Sequence, residues 1–170
     1  MAERDGGESR GRRKRPPRPA QARQQARRLA VQALYQDQLN PAAVHELVAE
    51  FRAHHERDDA DLEYFAAAVT GVGRSAPELD ALFAPLLDRA LDELDPVERA
   101  ILRLGTWELR ERLDVPYRVV IDQGITLAQL FGASESHRFV NAVLDALARR
   151  LRRAEVSARR SSGGSDSSAG

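Results

Sequence analysis

Cysteine is absent from this chain, which excludes a disulfide framework, a thiolate metal site and a cysteine nucleophile. No apolar run approaches the roughly 20 residues of a membrane span, and the first residues lack the apolar segment of a secretory signal. A cytosolic protein without a membrane partner is therefore expected. Catalytic signatures are missing as well: there is no glycine-rich phosphate loop, no Gly-x-Ser-x-Gly turn and no His-Glu-x-x-His pair. The expectation is a protein that is not an enzyme and holds no cofactor or metal. Aromatic residues number only nine, and Phe51, Phe65, Phe83 and Trp107 fall on apolar helical stripes where they serve a core.

Net charge is also lacking, since 26 basic and 26 acidic side chains cancel. Its distribution is uneven. Residues 1 to 28 carry +7, residues 29 to 148 carry −11 and residues 149 to 170 carry +4. A basic arm on an acidic body suits a polyanion at the arm and a basic protein at the body, although solvated tails and ordinary charged helix faces give the same composition. Residues 1 to 21 hold Arg12, Arg13, Lys14, Arg15 and Arg18 broken by Pro16, Pro17 and Pro19, and read as a flexible basic arm. Residues 22 to 153 form the folded domain in this reading, and the Ser- and Gly-rich residues 154 to 170 a disordered tail.

What is present between the ends is helical periodicity. Ala30, Val31, Leu34 and Tyr35 give the first helix an inward face, with Arg23 and Arg27 projecting from its opening turns. Those arginines oppose the positive end of the helix dipole, a conflict that a bound phosphate relieves. Asn40-Pro41 reads as the cap of a second helix bearing Val44, Leu47, Val48 and Phe51. A third runs near Ala60 to Gly73. Ser75-Ala76-Pro77-Glu78 reads as a capping box opening a fourth, which Pro85 kinks or divides. Asp95-Pro96-Val97-Glu98 opens a fifth that is apolar on most sides, with Arg99, Arg103, Thr106 and Arg110 along its polar edge. Pro116 starts a sixth, closed by Gly132, and Ser134 caps a seventh through Val140, Val143, Leu144, Leu147 and Leu151. Seven helices and no alternating strand predict a single all-α bundle.

His54 and His55, near Asp58, Asp59 and Asp61, fit a helix end better than a metal site, because adjacent helical residues diverge by about 100°. His137 and Asn141, four apart, fit a hydrogen-bonded pair that docks the last helix better than a base-reading pair.

Several separated motifs carry a resemblance. Asp114-Val115-Pro116-Tyr117, a helix ending Leu130-Phe131-Gly132, and Ser136-His137-Arg138-Phe139-Val140-Asn141 followed by Val143-Leu144-Asp145 stand in the order of the NusB family of bacterial transcription antitermination factors. Ala26 to Tyr35 is similar to that family's opening helix, and Leu94 to Arg103 to its central helix. The resemblance covers residues 22 to 152 and implies two packed helical subbundles.

It also implies partners and sites. The basic first helix and Phe139 face boxA-like single-stranded RNA in this reading, with Arg23, Arg27, Arg28 and Arg138 as further RNA contacts. Tyr35 and Glu98 match positions where the family meets a basic small-subunit ribosomal protein, NusE, and the assembly joins an RNA polymerase antitermination complex for ribosomal RNA. Gln24 and Gln25 depart from the family by interrupting its arginine run, so phosphate contact is expected to be shared among Arg23, Arg27, Arg28 and the arm. Two other readings stand beside it: a helical protein-interaction module, monomer or homodimer, and a stand-alone RNA-binding module related to ribosomal RNA cytosine methyltransferases.

Overall fold

The structure, a computed structural model, describes residues 15–163. It is built from α1 (Pro19–Leu39), α2 (Val44–His54), α3 (Leu62–Phe83), α4 (Pro96–Glu111), α5 (Tyr117–Phe131), α6 (Ser136–Leu151) and α7 (Arg153–Gly163), with two 3₁₀ turns between α3 and α4. No strand occurs among the described residues, as the all-α expectation requires.

The helices divide the chain differently from the sequence reading. Ser75 caps nothing: its hydroxyl donates back to the Gly71 carbonyl at 2.7 Å. Its backbone (φ −130°, ψ 20°) is non-helical and breaks α3 into two helical halves, the second carrying Pro77 near its start. A hydroxyl bonded to the carbonyl four residues earlier accompanies a bend of this kind. The two expected helices on either side of Ser75 are therefore present, joined end to end across the kink. Asn40 closes α1 and does not open α2, whose N-cap is Ala43. Glu135 takes the N-cap position of α6 that Ser134 was expected to hold, and Pro116 stands just before α5. Asp95 does cap α4, accepting from the Val97 amide at 2.8 Å.

Both ends of the expected folded domain shift outward. Helix α1 begins inside the segment read as a flexible arm, whose Arg12, Arg13 and Lys14 lie outside the described residues. Helix α7 occupies much of the stretch read as a disordered tail. Its first turn explains the difference, because Val156 packs on the core and Glu155 accepts the Tyr117 amide at 3.0 Å.

Helix α4 runs through the middle, with Ala100, Ile101, Leu102, Leu104 and Leu109 buried. Antiparallel to it, α1 is tied at both ends: Arg27 bonds Glu108, and the Gln38 amide donates to the Pro96 carbonyl at 2.9 Å. Helix α6 runs parallel to α4, since Ser136 meets Glu98 at the start and Arg152 meets the α4 carbonyls at the end. One bundle end thus holds the start of α1, the end of α4, the start of α5 and α7. The other holds the end of α1 and the starts of α4 and α6.

Close packing of α4, α5 and α6 depends on glycine at two places. A Cβ at Gly124 would lie 2.6 Å from Leu144 Cδ1, and one at Gly105 would lie 2.8 Å from Leu144 Cδ2. Leu144 is fully buried in that notch, so a shift would press on its neighbours. Overpacking of this kind costs about 1–3 kcal/mol, against roughly 1 kcal/mol gained from alanine's helix propensity. Gly124→Ala is expected to lower the urea midpoint at unchanged m value, a net loss of up to about 2 kcal/mol. A raised midpoint would mean that Leu144 can shift aside.

Candidate nucleic-acid and protein interface

The candidate residues separate into two groups, set by the antiparallel run of α1 and α4. Arg23, Arg27 and Arg28 lie at the α1-start end, whereas Tyr35, Glu98, Arg138 and Phe139 lie toward the other. From Glu98 to Glu108 along α4 is roughly 15 Å at the helical rise, so the two groups stand at separate ends of the bundle.

Arg27 is the clearest departure from expectation. It is 3% exposed, and its guanidinium forks onto Glu108, Nε to Oε1 at 3.0 Å and Nη2 to Oε2 at 2.9 Å. The Tyr64 hydroxyl donates to the same Oε2 at 2.8 Å. Burial, then the charge and hydrogen bond of Glu108, push the Tyr64 hydroxyl above its ordinary value, so its proton stays on the donor. Burial acts to lower the Arg27 pKa, and the hydrogen bond and charge of Glu108 outweigh it. Arg27 therefore holds α1 to α4 and is not free to meet a phosphate. The signal was in the sequence: Arg27, Ala30, Val31 and Leu34 share the i, i+3, i+4, i+7 spacing of a buried face.

Arg23 and Arg28 remain accessible. The Arg23 guanidinium stacks on the Tyr64 ring at 4.0 Å and pairs with Asp61 at 3.5 Å, while Arg112 covers the ring at 4.7 Å. Tyr64 thus carries two partly exposed guanidiniums above a buried third. Arg28 lines a groove of about 590 Å³ with Gln21, Gln24, Gln25 and Arg57, opposed by Asp58 and Asp59. Arg57, from the loop between α2 and α3, brings a second cation beside the glutamines that interrupt the arginine run. Sequence reasoning missed Arg57 and Arg112, since loop-to-helix proximity has no periodic signature.

At the far end, Phe139 is half-buried and the Arg89 guanidinium lies over its ring at 4.7 Å. Arg138 is exposed and loosely paired with Glu135 at 3.4 Å. Glu98 is buried: Oε1 accepts from the Ser136 hydroxyl at 2.8 Å, and Oε2 has no partner among the described residues. Tyr35 is exposed on α1. A buried carboxylate with one free oxygen beside an exposed tyrosine is suited to a basic or hydrogen-bonding group of a partner.

Two further expectations change. His137 and Asn141 form no hydrogen bond with each other, and Asn141 is exposed, so they do not dock α6 as a buried pair. Arg99 and Arg103 both clamp the buried Asp80, at 3.2 and 2.7 Å, and Thr106 is fully buried. The polar edge of α4 is thus largely an internal seam against α3. His55 pairs with Asp58 across the end of α2, and no cluster suited to a metal ion occurs among the described residues.

A model of the NusB family matches residues 24–149. The transcription antitermination protein NusB of Marinomonas sp. (strain MWYL1) is 51% identical over 146 residues, a match covering 85% of this chain and 84% of that protein. Among solved structures, T. maritima NusB superposes with a TM-score of 0.70 at 25% identity, covering 79% of this chain and 96% of the other. A complex of the antitermination factors NusB and NusE with double-stranded RNA aligns at TM-score 0.68 and 29% identity, covering 76% of this chain and 98% of that one.

Proposed function

The chain belongs to the NusB family, and on that premise we propose that it is an RNA-binding transcription antitermination factor that works together with the ribosomal protein NusE. The observation that carries the reading is the match across nearly the whole folded body to NusB proteins, one of them solved with NusE and RNA. We assign it no catalytic role, a cytoplasmic site of action and a place in the RNA polymerase antitermination complex.

The mechanism is assembly. Arg23 and Arg28, joined by Arg57 and Arg112, neutralise phosphates at the α1-start end. Phe139, with Arg89 and Arg138 beside it, offers a base a ring to stack on at the other. Tyr35 and Glu98 meet the basic partner near that second end. RNA and partner then hold each other through a shared complex, which tightens both contacts.

The RNA in the solved complex is double-stranded. The half-buried Phe139 ring with the Arg89 guanidinium over it supports an unpaired boxA-like strand, because bases reach an aromatic platform only when unstacked. The test is a titration with boxA-like single-stranded RNA, a scrambled strand and the boxA-like duplex, each with and without NusE, at two salt concentrations. Binding is expected to favour the boxA-like strand and to tighten with NusE. Phe139→Ala is expected to weaken it by about 1–3 kcal/mol, the value of one stacked base. Equal, weak and salt-sensitive binding to all three RNAs with NusE present would remove sequence recognition from the reading. A preference for the duplex would move recognition from the ring to the phosphates.

A further inference from the structure

Helix α7 lies beyond the residues that the family model matches, yet it is built into the bundle. Arg152, just before it, is buried against carbonyls at the end of α4, and Glu155 caps the first amide of α5. With Val156 packed on the core, the helical spacing carries Arg159 and Arg160 to the same side. There they line a groove of about 390 Å³ with Tyr117 and Arg118 of α5 and Asp145 and Arg149 of α6.

The groove is strongly basic in its local balance. Its one carboxylate, Asp145, is already paired with Arg149 at 2.8 Å. Arg118, Arg159 and Arg160 have no carboxylate partner among the described residues. Three like charges converging on one groove repel one another, and a polyanion relieves that repulsion by replacing their loose counter-ions. Val156 and Tyr117 also line the groove, but its charged groups are four guanidiniums and one carboxylate, the chemistry of a phosphate contact rather than of a base-reading site.

Position decides which polyanion. The start of α5 forms one wall here through Tyr117 and Arg118, and Pro116, Val119 and Gln123 beside it line the neighbouring groove, where Arg23 and Arg27 stand with Asp61 and Asp114. A strand leaving Arg23 over that helix start arrives at Arg118. We propose that the groove between α5, α6 and α7 holds the phosphate backbone of the same RNA strand beyond the segment met by α1, lengthening the footprint without adding sequence preference. This rests on the RNA-binding reading above, which supplies the strand.

The test compares the full chain with Arg159→Gln/Arg160→Gln and with a charge-matched control, Arg52→Gln/Arg74→Gln, two exposed arginines elsewhere. Each is titrated with a boxA-like RNA, the same RNA carrying about ten added uridines at either end, and oligouridine alone. Thermal melting checks that all three proteins are equally folded. The α7 variant is expected to bind one tailed RNA about ten-fold more weakly and its salt slope to fall by about 1.4, near 0.7 for each phosphate no longer neutralised. Affinity for the untailed RNA should stay within about two-fold, and the control should follow the unmodified chain. Equal losses in variant and control, or on tailed and untailed RNA alike, would overturn the proposal. If the unmodified chain ignores the boxA-like motif, the RNA reading itself fails. Oligouridine then still decides the groove: weaker binding confined to the α7 variant supports a phosphate site, and unchanged binding overturns it.

Discussion

Arg27→Ala is expected to destabilise the protein by about 3–5 kcal/mol, the range for breaking one half of a buried ion pair. Glu108 is 1% exposed. Without Arg27 its carboxylate loses three hydrogen bonds and keeps only that of the Tyr64 hydroxyl. Lysine is expected to rescue poorly, since a single ammonium cannot reproduce the fork that meets both oxygens. Removing both charges, as in Arg27→Met/Glu108→Leu, should recover most of the loss, because much of the penalty is the stranded charge. Urea denaturation measures each step. The RNA titration supplies the discriminating readout: Arg27→Ala protein held folded at low temperature should bind RNA nearly as the unmodified chain does, whereas Arg28→Gln should bind more weakly at full stability. A stable Arg27→Ala protein with impaired RNA binding would return Arg27 to the phosphate contacts.

The second large effect is expected at Arg152. All five of its N–H groups are engaged: Nε with the Leu109 carbonyl at 2.7 Å, Nη1 with the Val115 carbonyl at 3.0 Å and with Glu155 at 2.6 Å, and Nη2 with the carbonyls of Glu108 and Arg112 at 3.1 and 2.9 Å. The end of a helix exposes carbonyls without intrahelical partners and carries partial negative charge. Arg152 answers both needs for α4 from inside the bundle. Arg152→Ala leaves several buried acceptors short of a donor, at about 1–3 kcal/mol for each one left unsatisfied. A total near 4 kcal/mol is expected, lowering the melting temperature by roughly 10 °C in a domain of this size. The loss should also be directional. Glu155 is deprived of its buried cation, so hydrogen exchange should quicken at α7 and at the Tyr117 amide more than at α1 or α2. Uniform quickening would mean that α7 is held by Val156 and its neighbours instead.

Both residues bear on how charge is distributed in this protein. Two arginines counted in its basic ends face inward, while Arg57, Arg89 and Arg112, from loops and a helix end, join the accessible set. The segregation of charge along the chain therefore predicted the kind of partner better than it predicted the contacting residues. Arg23, Arg28 and Arg138 stayed accessible as expected, Phe139 acquired Arg89 over its ring, and Glu98 proved to be a buried carboxylate bonded to Ser136.

The helices and their apolar faces were determined by the sequence alone, because helical periodicity is local: Val140, Val143, Leu144 and Leu147 must share a side wherever the helix lies. Family membership was equally legible, carried by motifs that keep their order along the chain. Ser75 shows where local rules stop: the break between two helical halves was legible there, but the hydroxyl bonds back to the Gly71 carbonyl and does not cap the second half. Tertiary structure alone decided which charges are internal. Arg27 occupies a buried register of α1 and Arg152 the turn between α6 and α7, but what makes burial tolerable stands far away, Glu108 being 81 residues from Arg27 and Leu109 being 43 from Arg152. A buried charge is stable only beside its partner, and partners that far apart meet only once the bundle has closed.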